Sequence, residues 1–472
     1  MRRAGLLASA RRIAPLAWPV FVGQIAVLAF GTVDTVMAAR ASALDLAALA
    51  IGAAAYISVF VGLMGVVLAV GPIAGQQFGA GDLHGSGHTA RQAVWLALAL
   101  AVPGCALLVM PGPFLALAQA TPEVDEKVRQ YLLALAFALP PALVFTAFRG
   151  FNVAVSRPKV VMVLQLGGLA LKIPISALLV FGFDAATPVG ALHLPALGAA
   201  GCGIATAIVM WGQLLAAGVL VRRGAFYARF GLQHGGLGRP DRARLAPLWR
   251  LGLPMGLSIM IEVTGFTFMA LFVSRIGVTP VAGHQIAVNM VSMMFMLPLA
   301  IGNATSTLVA QRIGAGDPAD ARRLGWAGLE VGVLIAAALG CAVYLLREPI
   351  VGLYTANPAI VAAVLPLLAW VGLFHVADAA QTISAFVLRA YRIATVPLFI
   401  YGIAIWGVGL GGGYLAAFDA TGVSPEWMQG ARGFWAMATF GLTLAGATMA
   451  AYLGRVMRRQ RRPVSVGELA PD

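Results

Sequence analysis

Four carboxylic acids, Asp34, Glu262, Glu330 and Asp378, lie inside long apolar runs of the chain. An ionised side chain at the centre of a bilayer costs roughly 2.5–3.5 kcal/mol even on the lenient insertion scale, so such groups face a cavity or a partner. At 1.5 Å of helix rise per residue, Glu262 falls near the midplane of its run, and Asp378 is central in its own. Two carboxylates sharing a site of low dielectric do not both stay charged; one takes up a proton, or the pair recruits a cation. That chemistry makes Glu262 and Asp378 candidates for a proton or Na⁺ site, with Asp34 a third acid on a separate helix. The plainer alternative is a neutral acid hydrogen-bonded across helices. Glu330, in a Gly-rich stretch, reads as structural.

The other polar residues of these runs fall around the acids. Lys172 is the sole Lys or Arg more than four residues from the end of a run; its ammonium can pair with Asp34 and stand where a bound cation would. Gln285 and Asn289, at i and i+4, share a helix face and can hydrogen-bond a ligand or serve as helix–helix glue. Gln24 has the same two readings. His375 stands three residues before Asp378 and is placed to face the same cavity. No metal-protease H-E-x-x-H, phosphate-binding G-x-x-x-x-G-K-[ST] or G-x-S-x-G elbow occurs. An enzyme is not expected, nor is a metal centre: His84 and His88 have no third ligand nearby in the sequence. The glycines at 407–413 lie in an apolar run and read as helix packing, not as a phosphate loop. Without a nucleotide fold, the energy source is an ion gradient, and one charge crossing 100 mV supplies about 2.3 kcal/mol.

The elements that hold these residues are membrane helices. The 472 residues are 60% hydrophobic and 11% charged, where a soluble protein carries about 25% charge, and the mean hydropathy is +0.88. Apolar runs long enough to cross ~30 Å of hydrocarbon as helices recur twelve times. Their limits are 13–38, 46–73, 89–110, 128–152, 158–183, 194–221, 246–274, 281–307, 323–346, 358–388, 394–417 and 431–456. Cys105, Cys202 and Cys341 all lie in apolar runs and read as small core residues with no disulfide framework. The net charge of +14 comes from arginines clustered between runs, which suits membrane orientation and not nucleic acid. With the amino terminus inside, 25 Lys and Arg fall on the inner side and six on the outer. The positive-inside rule then places both termini in the cytoplasm.

The two halves repeat. Gly79-Ala80-Gly81-Asp82 follows the second run and Gly314-Ala315-Gly316-Asp317 the eighth, an offset of 235 that also carries Pro19 onto Pro254. Phe148-Arg149-Gly150-Phe151 resembles Leu388-Arg389-Ala390-Tyr391. Six runs per half is an even number, so the halves run parallel about an axis along the membrane normal, a transporter layout. The longest connector, about 222–247, separates an N-lobe (1–230) from a C-lobe with a cytoplasmic tail (231–472). The acids are not copies of one another: the offset carries Asp34 onto Met269, and Glu262 back onto Val27.

In this order and on this layout, several segments resemble the NorM-like branch of the multidrug and toxic compound extrusion (MATE) family. They are Pro19-Val20-Phe21-Val22-Gly23-Gln24 leading into Asp34-Thr35-Val36-Met37-Ala38, Gly201-Cys202-Gly203-Ile204-Ala205-Thr206-Ala207, and Leu253-Pro254 before Glu262. Val281-Ala282-Gly283-His284-Gln285-Ile286-Ala287 and Asp378 ahead of Leu388-Arg389 complete the set. The resemblance covers nearly the whole chain. It implies an all-α integral membrane protein of about twelve helices, in two six-helix lobes around a central V-shaped cavity. It also implies export of cationic amphipathic drugs and dyes against H⁺ or Na⁺, by a monomer in the bacterial inner membrane that needs no cofactor. The family's acids in spans one, seven and ten match Asp34, Glu262 and Asp378. Where many members have Tyr one turn before the span-ten acid, this chain has Phe374; where many have Asn in span five, it has Lys172, and Ser176 stands where Asn or Asp is common. Each change removes an oxygen ligand or adds a fixed cation, which favours H⁺ over Na⁺. A flippase for lipid-linked precursors, the competing reading of a related fold, calls for a strongly basic cavity, and the spans offer only Lys172. A channel is disfavoured because the acids form no ring.

Overall fold

The computed structural model describes residues 2–118, 121–187, 190–233, 236–420 and 422–459; most of the expected cytoplasmic tail, from residue 460 on, lies outside them. Among the described residues, twelve helices are long and apolar enough to cross a membrane. Numbered as spans one to twelve, they are Gly5–Ala41, Ala43–Gly79, Leu83–Val109, Pro122–Ala154, Pro158–Phe181, Ala199–Arg223, Arg242–Ser274, Val278–Gly314, Pro318–Leu345, Pro358–Ala390, Thr395–Ala417 and Ala431–Arg459. Each expected run lies within or largely overlaps one of them, and most spans extend several residues further. A helix has no reason to stop where hydrophobicity does: its backbone is satisfied internally until a cap or breaker intervenes. Among the described residues the other regular structure is small. It includes a hairpin of β1 (Phe183–Thr187) and β2 (Gly190–Leu194), antiparallel with Phe183 opposite Leu194, in the connector before span six.

The repeated Gly-Ala-Gly-Asp motif shows how sequence makes a turn twice. Gly81 and Gly316 adopt φ of +79° and +73°, the left-handed region that glycine enters without steric penalty. The aspartate after each glycine then caps the next helix. Asp82 Oδ1 accepts from Gly85 N at 2.8 Å, and Asp317 Oδ1 from Asp320 N at 3.0 Å, each satisfying one of the free N–H groups of a helix start. Short helices Gly112–Ala118 and Arg347–Tyr354 follow spans three and nine at the same offset. Ser156 and Arg392, after spans four and ten, share positive φ of 60° and 58°.

The chain packs as two compact units, one of Trp18–Phe78 and Asp82–Met260, the other of Met1–Ala17, Gly79–Gly81 and Ile261–Asp472. In the first, span four is the innermost helix. Leu132, Leu135, Leu139 and Leu143 are at most 1% exposed, and their spacing of three and four puts them along one stripe. In the second, span ten is central, with Leu367, Leu368, Val371 and Phe374 packed in one apolar cluster with Phe434 and Trp435. Gly340 of span nine and Gly372 of span ten meet backbone to backbone there: a Cβ on Gly340 would stand 2.6 Å from the Gly372 oxygen. That is the close approach small residues allow between membrane helices.

Candidate functional site

Within the unit that holds Ile261–Asp472, spans seven, ten and eleven bring a polar island into an apolar core. Asp378, Gln381 and Thr382 lie at i, i+3 and i+4 of span ten and so share a face. Gln381 organises the island. Its Nε2 donates to Asp378 Oδ1 at 2.9 Å and to Thr382 Oγ1 at 3.0 Å, and its Oε1 accepts from the Tyr401 hydroxyl of span eleven. Gln381 also acts on the carboxyl of Glu262 in span seven. Glu262 and Asp378 are electrostatic neighbours, and the Arg389 guanidinium acts on Glu262. The backbone is held on both sides of Glu262. Trp406 Nε1 donates to the Ile261 carbonyl at 3.1 Å, and a Cβ on Gly265 would come within 2.8 Å of Ile405 Cγ2. Beside Glu262 is a small pocket of about 30 Å³, walled by Phe266, Met269, Phe374, Leu410 and Leu442, room for one or two waters.

Four members of this island, Gln381, Thr382, Tyr401 and Arg389, have no site role by sequence. By sequence Arg389 belongs to the cytoplasmic rim; in the structure it lies in the last turn of span ten, 6% exposed, its guanidinium 4.6 Å from the Phe386 ring centroid. Gln381 carries a usable signal, an amide one turn from Asp378 in an apolar run. Tyr401 carries none, because nothing local ties span eleven to span ten. The phenol missing at Phe374 is thus offset by one arriving from elsewhere: Phe374 is 1% exposed and packs edge-on against Phe266 and Trp435. His375 is fully buried, and neither ring nitrogen has a hydrogen-bond partner among the described residues. Gln285 and Asn289 share one exposed face of span eight and do not join the carboxylates. Glu330 is half-buried in span nine, away from the island.

Span eleven departs from a plain helix at this site. It runs Thr395–Tyr401 as α-helix, Gly402–Gly411 as π-helix and Gly412–Ala417 as α-helix again. Wide π turns are rare and collect at functional positions. Tyr401 ends the first stretch and Trp406 lies within the second, so both contacts to the island flank or occupy the widened turns.

In the other unit, Asp34 of span one meets Lys172 of span five, Nζ to Oδ1 at 2.8 Å. Lys172 has no exposed surface. Its ammonium also donates to Thr206 Oγ1 at 2.6 Å and stands 5.5 Å from the Phe30 ring centroid. Ser176, one turn on, is also fully buried. Gln24 accepts from Arg149 NH1 at 3.1 Å. Arg149 and Arg389 are the repeat-related arginines noted in the sequence, and each acts on a polar residue in the first span of its half, Gln24 or Glu262. Among the described residues no three His, Cys, Asp or Glu side chains are grouped to hold a metal ion.

Comparison with known proteins matches residues 19–178 and 254–415 to the family model described as MatE; the two segments start at Pro19 and Pro254, the residues related by the repeat. A protein described as a probable multidrug resistance protein NorM, from Aromatoleum aromaticum, is 39% identical over 94% of this chain and 93% of its own length. The multidrug resistance protein PmpM of Pseudomonas aeruginosa is 36% identical over 96% and 92%. Among solved structures, the Vibrio cholerae MATE transporter VcmN superposes with a TM-score of 0.83 at 16% identity, over 97% of this chain and 99% of its own. A transporter of the MOP superfamily from Pyrococcus furiosus gives 0.85, again at 16% identity, over 96% and 97%. At that identity the likeness is one of fold.

Proposed function

The chain belongs to the multidrug and toxic compound extrusion family, and from that premise we propose that it exports amphipathic cations in exchange for protons by alternating access. The observation that carries the coupling is the island in which Asp378, held by Gln381, lies within electrostatic reach of Glu262. Two interacting carboxyls in an apolar core cannot both bear charge without a compensating cation, so proton uptake and release there is a two-state device. Protons suit the site better than Na⁺. The Gln381 amide turns its N–H₂ towards Asp378, and its carbonyl is occupied by Tyr401, so the amide offers little to a metal cation. The Arg389 guanidinium beside Glu262 opposes a second fixed cation and favours return of the charged carboxylate.

The Asp34–Lys172 pair has a different role. Its ammonium already fills the place of a bound cation, which leaves ion exchange to Glu262 and Asp378 and gives Asp34 a secondary part. Gln24, Gln285 and Asn289 contribute polar contacts to substrate. The homologues described as multidrug resistance proteins support the substrate class. The excess of inner Lys and Arg supports a bacterial inner-membrane location with both termini in the cytoplasm, and each monomer is complete as a transporter.

The test is a flux assay in proteoliposomes with a fluorescent cationic dye. Uptake driven by an imposed pH gradient without Na⁺ is the expected result, and dependence on a Na⁺ gradient alone overturns proton coupling. Glu262→Gln and Asp378→Asn each abolish efflux while expression persists; wild-type efflux from both variants removes the island from the mechanism.

A further inference from the structure

A second charged assembly, which shares no side chain with the carboxylate island, lies in the same unit where spans eight and nine meet. Asp320 receives three arginines. Arg12 of span one approaches it with NH1 at 3.0 Å and NH2 at 2.8 Å, Arg312 of span eight with Nε at 3.0 Å, and Arg323 with NH2 at 2.6 Å. One carboxylate cannot neutralise three guanidiniums. Arg322 adds a fourth cation and, among the described residues, has no carboxylate within ion-pair distance. Of the two other acids that line the groove, Asp317 spends an oxygen capping span nine, and Glu330 lies at the far end of the lining.

These groups line the mouth of an open groove of about 940 Å³. The groove extends from Asp317 to Glu330 along span nine, about 20 Å at 1.5 Å per residue, and Leu6 and Gly5 of span one form its other wall. Past the charged mouth, the lining becomes Trp326 and Ala327, with Trp326 40% exposed. Surplus positive charge at one end and an exposed indole further in match an amphiphile with an anionic head. A basic pocket between membrane helices on the cytoplasmic side is where acidic phospholipid head groups bind.

We propose that this groove binds the phosphodiester head group of an anionic phospholipid, with Arg322 and its neighbouring arginines holding the phosphate and Trp326 packing against the glycerol and upper acyl chains. The assignment of the cytoplasmic leaflet as its source rests on the proposed orientation of the chain. The binding itself does not, because the groove is formed by residues of one unit and involves none of the transport carboxylates.

The experiment uses the full chain in nanodiscs of phosphatidylcholine with increasing phosphatidylglycerol carrying brominated acyl chains, and reads quenching of tryptophan fluorescence. A saturable component that disappears in Trp326→Phe is expected. Arg322→Gln, which breaks no ion pair, shifts its midpoint to roughly five- to tenfold more phosphatidylglycerol, the loss expected for one interfacial arginine. Unchanged titration of Arg322→Gln, or quenching indifferent to Trp326, overturns the proposal. In a second arm, glycerol 3-phosphate is added to detergent-solubilised protein. Protection of an Arg322-dependent thermal midpoint by that soluble phosphate assigns the site to a free anion and overturns the lipid. Since no substrate or ion gradient is present, a failed transport mechanism leaves this result intact, and the reverse.

Discussion

A lysine with no exposed surface is held in place by its counter-charge. Lys172 and Asp34 each offset the desolvation of the other, and Thr206 takes a further ammonium proton. Removing one partner of a buried pair leaves an uncompensated charge and costs about 3–5 kcal/mol, whereas replacing both with neutral residues is often close to neutral. Lys172→Met is therefore expected to lower the thermal midpoint sharply, and Lys172→Met with Asp34→Asn to recover most of it; equal midpoints for the single and double variants would show that the pair is not coupled. In the carboxylate island, Tyr401→Phe removes only the hydroxyl that holds Gln381, a hydrogen bond of about 1 kcal/mol net. Dye flux should slow but persist. Gln381→Ala, which also strips Asp378 of its amide donor, should slow it much further, and an inverted order in the flux assay would displace Gln381 from its organising role.

Among the elements, the turn between paired spans is the most readable. Gly81 and Gly316 supply left-handed backbone, and Asp82 and Asp317 cap spans three and nine. An N-cap aspartate changed to alanine costs about 1 kcal/mol, so Asp82→Ala and Asp317→Ala should each reduce the thermal midpoint by a similar small amount. A much larger loss at one of them would mean that the turn does more than cap. Span eleven is less readable. Its glycines at 407–413 suggest close helix packing, which Gly412 and Gly413 make against Met437 and Phe434 of span twelve, but nothing in the sequence marks the π-helix over Gly402–Gly411. Hydrophobic periodicity does not distinguish α from π turns when the residues are uniformly apolar, and the widened turns are held by contacts from neighbouring helices, such as the Trp406 bond to Ile261.

For the molecule as a whole, the arginine distribution implies an orientation that can be read by labelling. With cysteines removed, Leu237→Cys in the long connector should react with an impermeant maleimide only after right-side-out vesicles are opened, and Val423→Cys before span twelve should react at once. Both positions are exposed, at 40% and 82%. The opposite pattern would invert the topology.

The sequence alone determined the number of spans, the internal repeat and the identity of the anomalous acids. These follow from hydrophobic run length, from segments that recur at a fixed offset and from charge placed in hydrocarbon, none of which needs a distant partner. Only the tertiary structure decided which groups the acids meet. Gln381 lies one turn from Asp378, yet its bond to Tyr401 joins residues 20 apart in the chain, and Glu262 joins them from more than a hundred residues away. Arg389 looks like a rim arginine because it ends its span, and only the packing of span seven against span ten turns it towards Glu262. Asp320 looks like a loop acid until three arginines from three spans converge on it. Side-chain direction across helix interfaces is set by how ridges interlock, and apolar composition leaves that choice open.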